Sequence, residues 1–512
     1  MISLQGLVQE LGGELSPCAG ELTIREVQLD SRDVQPGDLF VAVHGGREDG
    51  SAYVKDAIAR GAIAVLSRGA SGQEGPGEVS AEVSGVAHWT HDRVREAAGH
   101  AAARAQGPPR GSLDIVGITG TNGKTTSAHL LGQLLDSAGL APAVLGTAGH
   151  RLHGDGVVKS THTTPPAPEI QRLLARHQRA GGKSVVMEVS SHALDQKRTA
   201  GVDFRVAVFT NLTRDHLDYH SGMDSYLEAK ARLFQNLASG TTAVLNKDDP
   251  AWEYLAGVAR TAGAEIITYS VQQAADFRAS ELRTETDGSR FNFDGMGIFS
   301  TELRIPLRGR FNVQNTLAAI AAAHCLGASP SVNELAEGLA TFQPAPGRLE
   351  PVPCSGRDLG IFVDYAHTPD ALKHALCAAR EGLQNTDGRD PELWVVFGCG
   401  GDRDRGKREE MGRVARAYSH RLVVTSDNPR SEDPASIADD ILRGLTKAQS
   451  DACTVELDRR KAIEFALQQA RPGDVILVAG KGHETEQWVD GEALPFDDRL
   501  VIQEALCAGS SA

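Results

Sequence analysis

The residues with the plainest chemical purpose are Gly120-Thr-Asn-Gly-Lys-Thr-Thr126. Gly120 and Gly123 free the backbone to wrap an anion, with the N–H groups of Thr121 and Asn122 between them. Lys124 can reach the β- and γ-phosphates of a nucleotide, and the Thr125 hydroxyl can ligate Mg²⁺ beside Thr126. Such a turn works only when a strand delivers it and a helix leaves it. Ile115, Val116 and Ile118 read as that buried strand, and apolar residues line one face of a helix from Lys124. Open N–H groups and the helix dipole then favour a phosphate. The match is not strict: Ile118 stands where the usual spacing has Gly, and Gly117 is one residue early.

Several later clusters also follow apolar strands. Val185-Val-Met-Glu188 ends a strand in an acid, so Glu188 is a candidate Mg²⁺ ligand, with Ser190, Ser191 and His192 in the crevice beyond it. The alternative is an exposed strand-end Glu with the serines forming a local cap. Asp215, His216, Asp218 and His220 crowd one stretch after the next strand. That pattern suits a metal or phosphate site, His216 being the first choice for a second Mg²⁺; a self-bonded polar loop is the other account. Lys230 lies in an amphipathic helix, Ser225 to Phe234, where periodicity alone makes it a solvated lysine. Asn312 is placed to cap a helix with Asn315 in its first turn; capping and recognition of a base both remain open.

In Asp364-Tyr-Ala-His-Thr-Pro369, Asp364 could bond a ribose hydroxyl, and His367 or the upstream Arg348 could meet a phosphate. The loops Gly398 to Arg408, Asp427-Asn-Pro-Arg430 and Gly480-Lys-Gly-His-Glu484 all leave strands, so they should face one crevice. Their cations suit a carboxylate and Glu484 suits an ammonium, which together describe a zwitterion.

These loops need a frame of alternating strands and helices. The expected fold class is α/β with three domains, since 512 residues exceed what one core can hold. Residues 1–90 form a small α/β unit, 91–344 a P-loop unit on a parallel sheet, and 345–512 a second doubly wound, Rossmann-like unit. Boundaries are expected at the linker 106–112 and at Phe342-Gln-Pro-Ala-Pro-Gly347, and 69–80 reads as an exposed loop. A net charge of −15 without a basic run argues against nucleic acid as a partner. Seven scattered cysteines, an odd number without metal spacing, suit a reducing cytoplasm. No signal peptide and no membrane span are expected.

Taken in order along the chain, these motifs resemble the Mur ligase family, the ATP-dependent amino-acid ligases of peptidoglycan synthesis. The resemblance implies ATP as co-substrate, Mg²⁺ as cofactor, small-molecule partners and a monomer. Asp427-Asn-Pro-Arg430 looks like the signature of the branch that adds meso-diaminopimelate to UDP-N-acetylmuramoyl-L-alanyl-D-glutamate. Carried over, Asp427, Asn428, Pro429 and Arg430, with Arg403, Gly480 and Glu484, hold diaminopimelate. An Arg there selects for the distal carboxylate, which is costly to bury unpaired. The resemblance also reverses the reading of Lys230, which falls where these ligases carry a carboxylated lysine. Ser31 and His44 fall in the uridine-binding part, and Thr163, Thr164, Ser190, Gln196 and Arg198 where the muramoyl dipeptide is held. The departures are Thr368, where many members have Asn, and Ala193, where Gly is frequent. Two other readings are a folylpolyglutamate synthase, which needs neither the N-terminal unit nor Asp-Asn-Pro-Arg, and a nucleotide-regulated binding protein without ligase activity.

Overall fold

The computed structural model describes residues 2–16, 21–44, 49–69, 86–107, 113–160, 162–285, 287–295, 297–328, 330–354, 358–381, 383 and 390–509. The expected loop at 69–80, the linker at 106–112 and Cys18 lie largely or wholly outside them.

A continuous apolar run makes Asp114–Thr119 a central strand, because a parallel strand is buried on both faces. It pairs in parallel with Ser184–Glu188 on one side and Val206–Phe209 on the other. The sheet continues in parallel through Thr242–Asn246 and Glu265–Ser270, then ends in the antiparallel Gly288–Gly295 and Ile298–Ile305. Among the described residues it has eleven strands. Helices Lys124–Ser137 and Arg310–Cys325 cover one face around Leu131, Leu135, Leu317 and Ile320. Helices Ala167–Arg179 and Met223–Gln235 cover the other around Ile170, Leu174, Leu233 and Phe234. Strand Pro142–Gly146 and helix Ala167–Arg179 had no part in the expected pattern. The helix starts at Pro166 and Pro168, positions whose missing N–H costs a first turn nothing.

The N-terminal unit is a five-stranded sheet built on Leu39–Val41, Ala64–Ser67 and Ala87–Thr90. Between Glu21 and Leu29 the chain forms two short strands, Thr23–Ile24 and Val27–Gln28. Helix Val94–Ala105 buries Ala97, Ala98, Ala101 and Ala102 in the core of this sheet. These alanines lie past the expected edge of the first unit at residue 90, and the same helix also packs on Ala167–Arg179 of the middle unit. The C-terminal unit has a six-stranded sheet with parallel neighbours Gly360–Asp364, Val475–Ala479, Leu393–Phe397 and Arg421–Val424, in that order. No helix among the described residues is long and apolar enough to cross a membrane.

Candidate active site

The P-loop turn wraps as its glycines require. Gly123 has φ +86°, and a Cβ there would lie 2.3 Å from Asn315 Oδ1. Lys124 Nζ donates to the carbonyls of Gly120 and Thr121 at 2.8 and 2.9 Å, curling over the turn that would cradle phosphate. Burial pulls its pKa below the usual lysine range. Thr125 Oγ1 donates to Glu188 Oε2 at 2.9 Å, and Thr147 donates to both Glu188 oxygens through its N–H and hydroxyl at 3.0 Å. Glu188 is thus a buried acceptor among hydroxyls rather than an exposed strand end. A hydroxyl and a carboxylate so joined fit a hard cation that takes its other ligands from phosphate and water.

The C-terminal unit closes this cleft. Arg348 Nη2 donates to Thr125 Oγ1 at 3.0 Å, and Asn122 Nδ2 donates to Asp370 Oδ2 at 2.8 Å. Thr213 Oγ1 donates to the same Asp370 oxygen at 3.3 Å. A cavity of about 530 Å³ lies between the units, lined by the P-loop, Glu188, Asn312, Asn315, Arg348, Asp364 and His367. Asn312 does not cap its helix, because the helix starts at Arg310 behind Gly309. It lies in the first turn instead, where its Nδ2 bonds Arg308 O and its Oδ1 accepts from Asn315. Asp364 accepts from the N–H of Leu349, just past Arg348, at 2.6 Å.

His216 also faces the cavity, in the left-handed region at φ +55°. Burial pushes its pKa down to about 3 against the opposing charge of Asp215, whose carboxylate lies 3.4 Å from Nε2. Its ring lies 4.7 Å from that of His192. Burial likewise takes His367 to about 4, and Nδ1 of that ring lies 2.9 Å from Tyr365 O. Among the described residues, no three His, Cys, Asp or Glu side chains converge as a metal cage.

Lys230 is the largest departure from the periodicity reading. It is 1% exposed, because helices Ser191–Asp195 and Trp252–Thr261 and strand Asp114–Thr119 pack on its helix. Its Nζ lies 4.2 Å from the centre of the Tyr226 ring, whose hydroxyl is 3.2 Å from Thr121 Oγ1. No described residue accepts a hydrogen bond from its Nζ. Burial, then the charge of Lys124, puts its pKa well below the usual value.

Beside Glu188, Thr164 Oγ1 donates to Glu188 O, Ser190 N donates to Thr164 Oγ1, and Thr147 donates to Thr163 Oγ1 at 3.1 Å. Arg198 holds Thr164 O at 2.9 Å and the Gln196 amide oxygen at 2.9 Å. The five residues assigned to the muramoyl dipeptide therefore form one connected wall. Ser190 also caps helix Ser191–Asp195, the local cap of the alternative account. On the N-terminal unit, Arg95 Nη2 donates to His44 O, while Ser31 is buried and its hydroxyl bonds Asp56. Arg95 carries no motif; only packing brings it near Arg198, the two charges depressing the Arg198 pKa after burial itself.

The three C-terminal loops do converge. Asn428 Nδ2 donates to Glu484 Oε2 at 2.8 Å. Lys481, fully buried, donates to Asn428 Oδ1 and Glu484 Oε2 at 3.1 Å each. Arg430 has φ +55° and donates to Gly401 O at 2.7 Å. Burial and then the charge of Arg403 lower the Arg430 pKa, while the carboxylates of Asp427 and Glu484 act in the opposite direction. Gly480 packs on Asp427, whose pKa burial raises. Tyr365 joins the two halves of the site: Arg348 stacks on its ring at 4.6 Å and His483 lies 5.3 Å from it. Lys481 and Asp370 were not singled out in the sequence. Each sits inside or one residue after a motif that was, which is the signal that could have found them.

Known proteins share this arrangement. The Mur ligase family catalytic domain matches residues 23–105, the Mur ligase middle domain 118–323, and the Mur ligase glutamate ligase domain 347–482. A relative from Syntrophomonas wolfei, a "UDP-N-acetylmuramoyl-L-alanyl-D-glutamate--2,6-diaminopimelate ligase", is 41% identical over 99% of both chains. One of the same name from Gloeobacter violaceus is 45% identical over 95% of this chain and 94% of its own. A solved structure of a ligase of that name superposes with a TM-score of 0.66 at 34% identity, covering 99% of each chain. A folylpolyglutamate synthase from Mycobacterium tuberculosis, at 19% identity and TM-score 0.60 over 76% of this chain, shares the fold. With sequence likeness across all three units and its site built from the same motifs, this chain belongs to the Mur ligase family.

Proposed function

We propose that this protein is an ATP-dependent ligase that adds meso-diaminopimelate to UDP-N-acetylmuramoyl-L-alanyl-D-glutamate in peptidoglycan synthesis. One observation carries the reading: the P-loop cleft and the Asn428–Arg430–Glu484 pocket meet across Tyr365, so a phosphorylated carboxyl and an amine can be held side by side. The relatives of the same name support it.

In this mechanism the γ-phosphoryl group passes from ATP to the terminal carboxylate of the D-glutamyl residue. The amine of diaminopimelate attacks the resulting acyl phosphate, and the tetrahedral intermediate collapses to an amide and phosphate. Gly120 to Thr126 hold the triphosphate, Lys124 offsets the charge on its terminal oxygens, and Arg348 and His367 flank them. Asp364 takes a ribose hydroxyl, and Asn312 and Asn315 line the cleft near it. Thr163, Thr164, Ser190, Gln196 and Arg198 orient the dipeptide, with Ser31 and His44 on its uridine end. Arg430 and Arg403 take the distal carboxylate, and Asn428 and Glu484 the neighbouring ammonium. Mg²⁺, held by Thr125 and Glu188 and a second time by His216 and Lys230, would neutralise charge on the transferred phosphoryl group.

Lys230 enters as an N6-carboxylysine. Its amine, held below the usual lysine pKa by burial, adds CO₂ and gives up a proton, which leaves a carbamate anion beside Lys124. No enzyme nucleophile is required, because ATP supplies the activation.

The test is ADP release by the purified protein with Mg²⁺, ATP and the nucleotide substrate, comparing meso-diaminopimelate with L-lysine. Release with diaminopimelate alone is expected. Preference for lysine would overturn the Asn428 and Arg430 assignment, and silence with both in protein that binds ATP would favour a binding protein.

A further inference from the structure

Arg459 is the first residue of helix Arg459–Gln469. A cation there faces the positive end of the helix dipole, so helix stability does not explain it. It is 1% exposed, and its partner Asp498 is 0% exposed. Nε and Nη2 meet the two Asp498 oxygens at 2.8 and 2.7 Å. The same guanidinium also donates from Nη1 to Ser426 O at 3.3 Å and from Nη2 to Ala479 O at 3.0 Å.

Those carbonyls stand at the bases of two site loops. Ser426 precedes Asp427 to Arg430, and Ala479 precedes Gly480 to Glu484. The loops leave strands that are not neighbours, since Leu393–Phe397 lies between Arg421–Val424 and Val475–Ala479. They meet over the end of that middle strand because Gly398 has no side chain there. A Cβ on Gly398 would fall 2.1 Å from Thr425 O and 2.9 Å from Asp427 N.

We propose that Arg459, held by Asp498, is a positioning residue that sets the spacing of these two loops and so the fit of the distal end of the amino-acid substrate. The inference rests on the reading of this pocket as the amino-acid site. The bonds among Asn428, Lys481 and Glu484 join the loop tips, which an arriving amino acid would rearrange. Arg459 joins the loop bases, which it would leave intact. A planar fork can fix a carboxylate and two carbonyls in one geometry, whereas a lysine is a point charge on a flexible stem.

Two variants test this. Arg459→Lys keeps a cation opposite Asp498 but loses the fork. Arg459→Met with Asp498→Leu removes both charges together, which a buried pair tolerates better than loss of one partner. KM for diaminopimelate, for ATP and for the nucleotide substrate, kcat, and amide exchange of residues 120–126, 426–430 and 480–484 are measured on the full chain. In both variants KM for diaminopimelate should rise about tenfold while KM for ATP and kcat stay within about twofold. Exchange should quicken in both amino-acid loops and not in the P-loop. Unchanged KM for diaminopimelate in folded variants overturns the proposal. So does a parallel loss in all three constants, or failure of both variants to fold, since the pair is then merely structural. If the wild type uses L-lysine instead, the substrate reading fails, and the positioning claim stands or falls by the same limits on KM for lysine.

Discussion

Replacing Lys230 with Met separates a structural lysine from a catalytic one, because the two accounts move stability and activity differently. The amine is buried at 1% exposure with no hydrogen-bond acceptor among the described residues, against an aromatic ring at 4.2 Å and near the like charge of Lys124. Its folded pKa is lowered, so the unfolded chain binds the proton more tightly and stability falls as pH drops below the ordinary lysine range. A methionine of similar length removes that penalty. Lys230→Met should therefore raise stability in CO₂-free buffer at pH 7, where the unfolded lysine is protonated. Turnover should move the other way. Loss of one charge-stabilising group in a closed site costs about 10²–10³ in kcat. The assays are urea unfolding and substrate-dependent ADP release in bicarbonate buffer, with Lys230→Ala plus small carboxylates as a rescue arm. Activity within about tenfold of wild type would refute the carbamate role, since a group of that kind is worth more. An activity loss matched by a stability loss would make Lys230 a packing residue.

Arg430→Ala should raise KM for diaminopimelate about 10- to 100-fold, as loss of a charged hydrogen bond implies, with KM for ATP nearly unchanged; equal changes in both would argue against the pocket. Asp370→Ala removes the acceptor that Asn122 and Thr213 share, so the C-terminal unit should hold the P-loop less firmly. KM for ATP should then rise about three- to tenfold, the scale of one net hydrogen bond, in steady-state titrations; an unaltered value would show the contact to be incidental. Burial depresses the pKa of His129, His367 and His483 to about 4 each. Their contribution to stability is full above the unfolded pKa near 6.5 and is lost as pH falls toward the folded values. Urea midpoints should therefore drop between pH 6.5 and 4, and a flat profile would contradict their burial.

The central strand, the phosphate turn and its helix were legible in the chain, since glycine spacing, apolar run and helical face all agree locally at residues 114–137. So were the strand-end acids, because open α/β sheets gather such residues at one edge. The Asp-Asn-Pro-Arg motif and Glu484 were legible as loops facing one crevice, and the structure brings Asn428 and Glu484 into contact. Periodicity placed Lys230 in solvent, because a helix pattern records one buried face. Only the tertiary structure packs further helices on Met223–Gln235 and buries the lysine. Likewise Asn312 looked like a cap until the helix began two residues earlier, and the alanines of helix Val94–Ala105 pack in the core of the first unit's sheet. The contacts Asn122–Asp370, Arg348–Thr125 and Arg459 with Ser426 and Ala479 join residues far apart in the chain. Local sequence determines which chemistry each loop carries. Which loops meet depends on strand order and the packing of helices across it, and no local pattern encodes those distances.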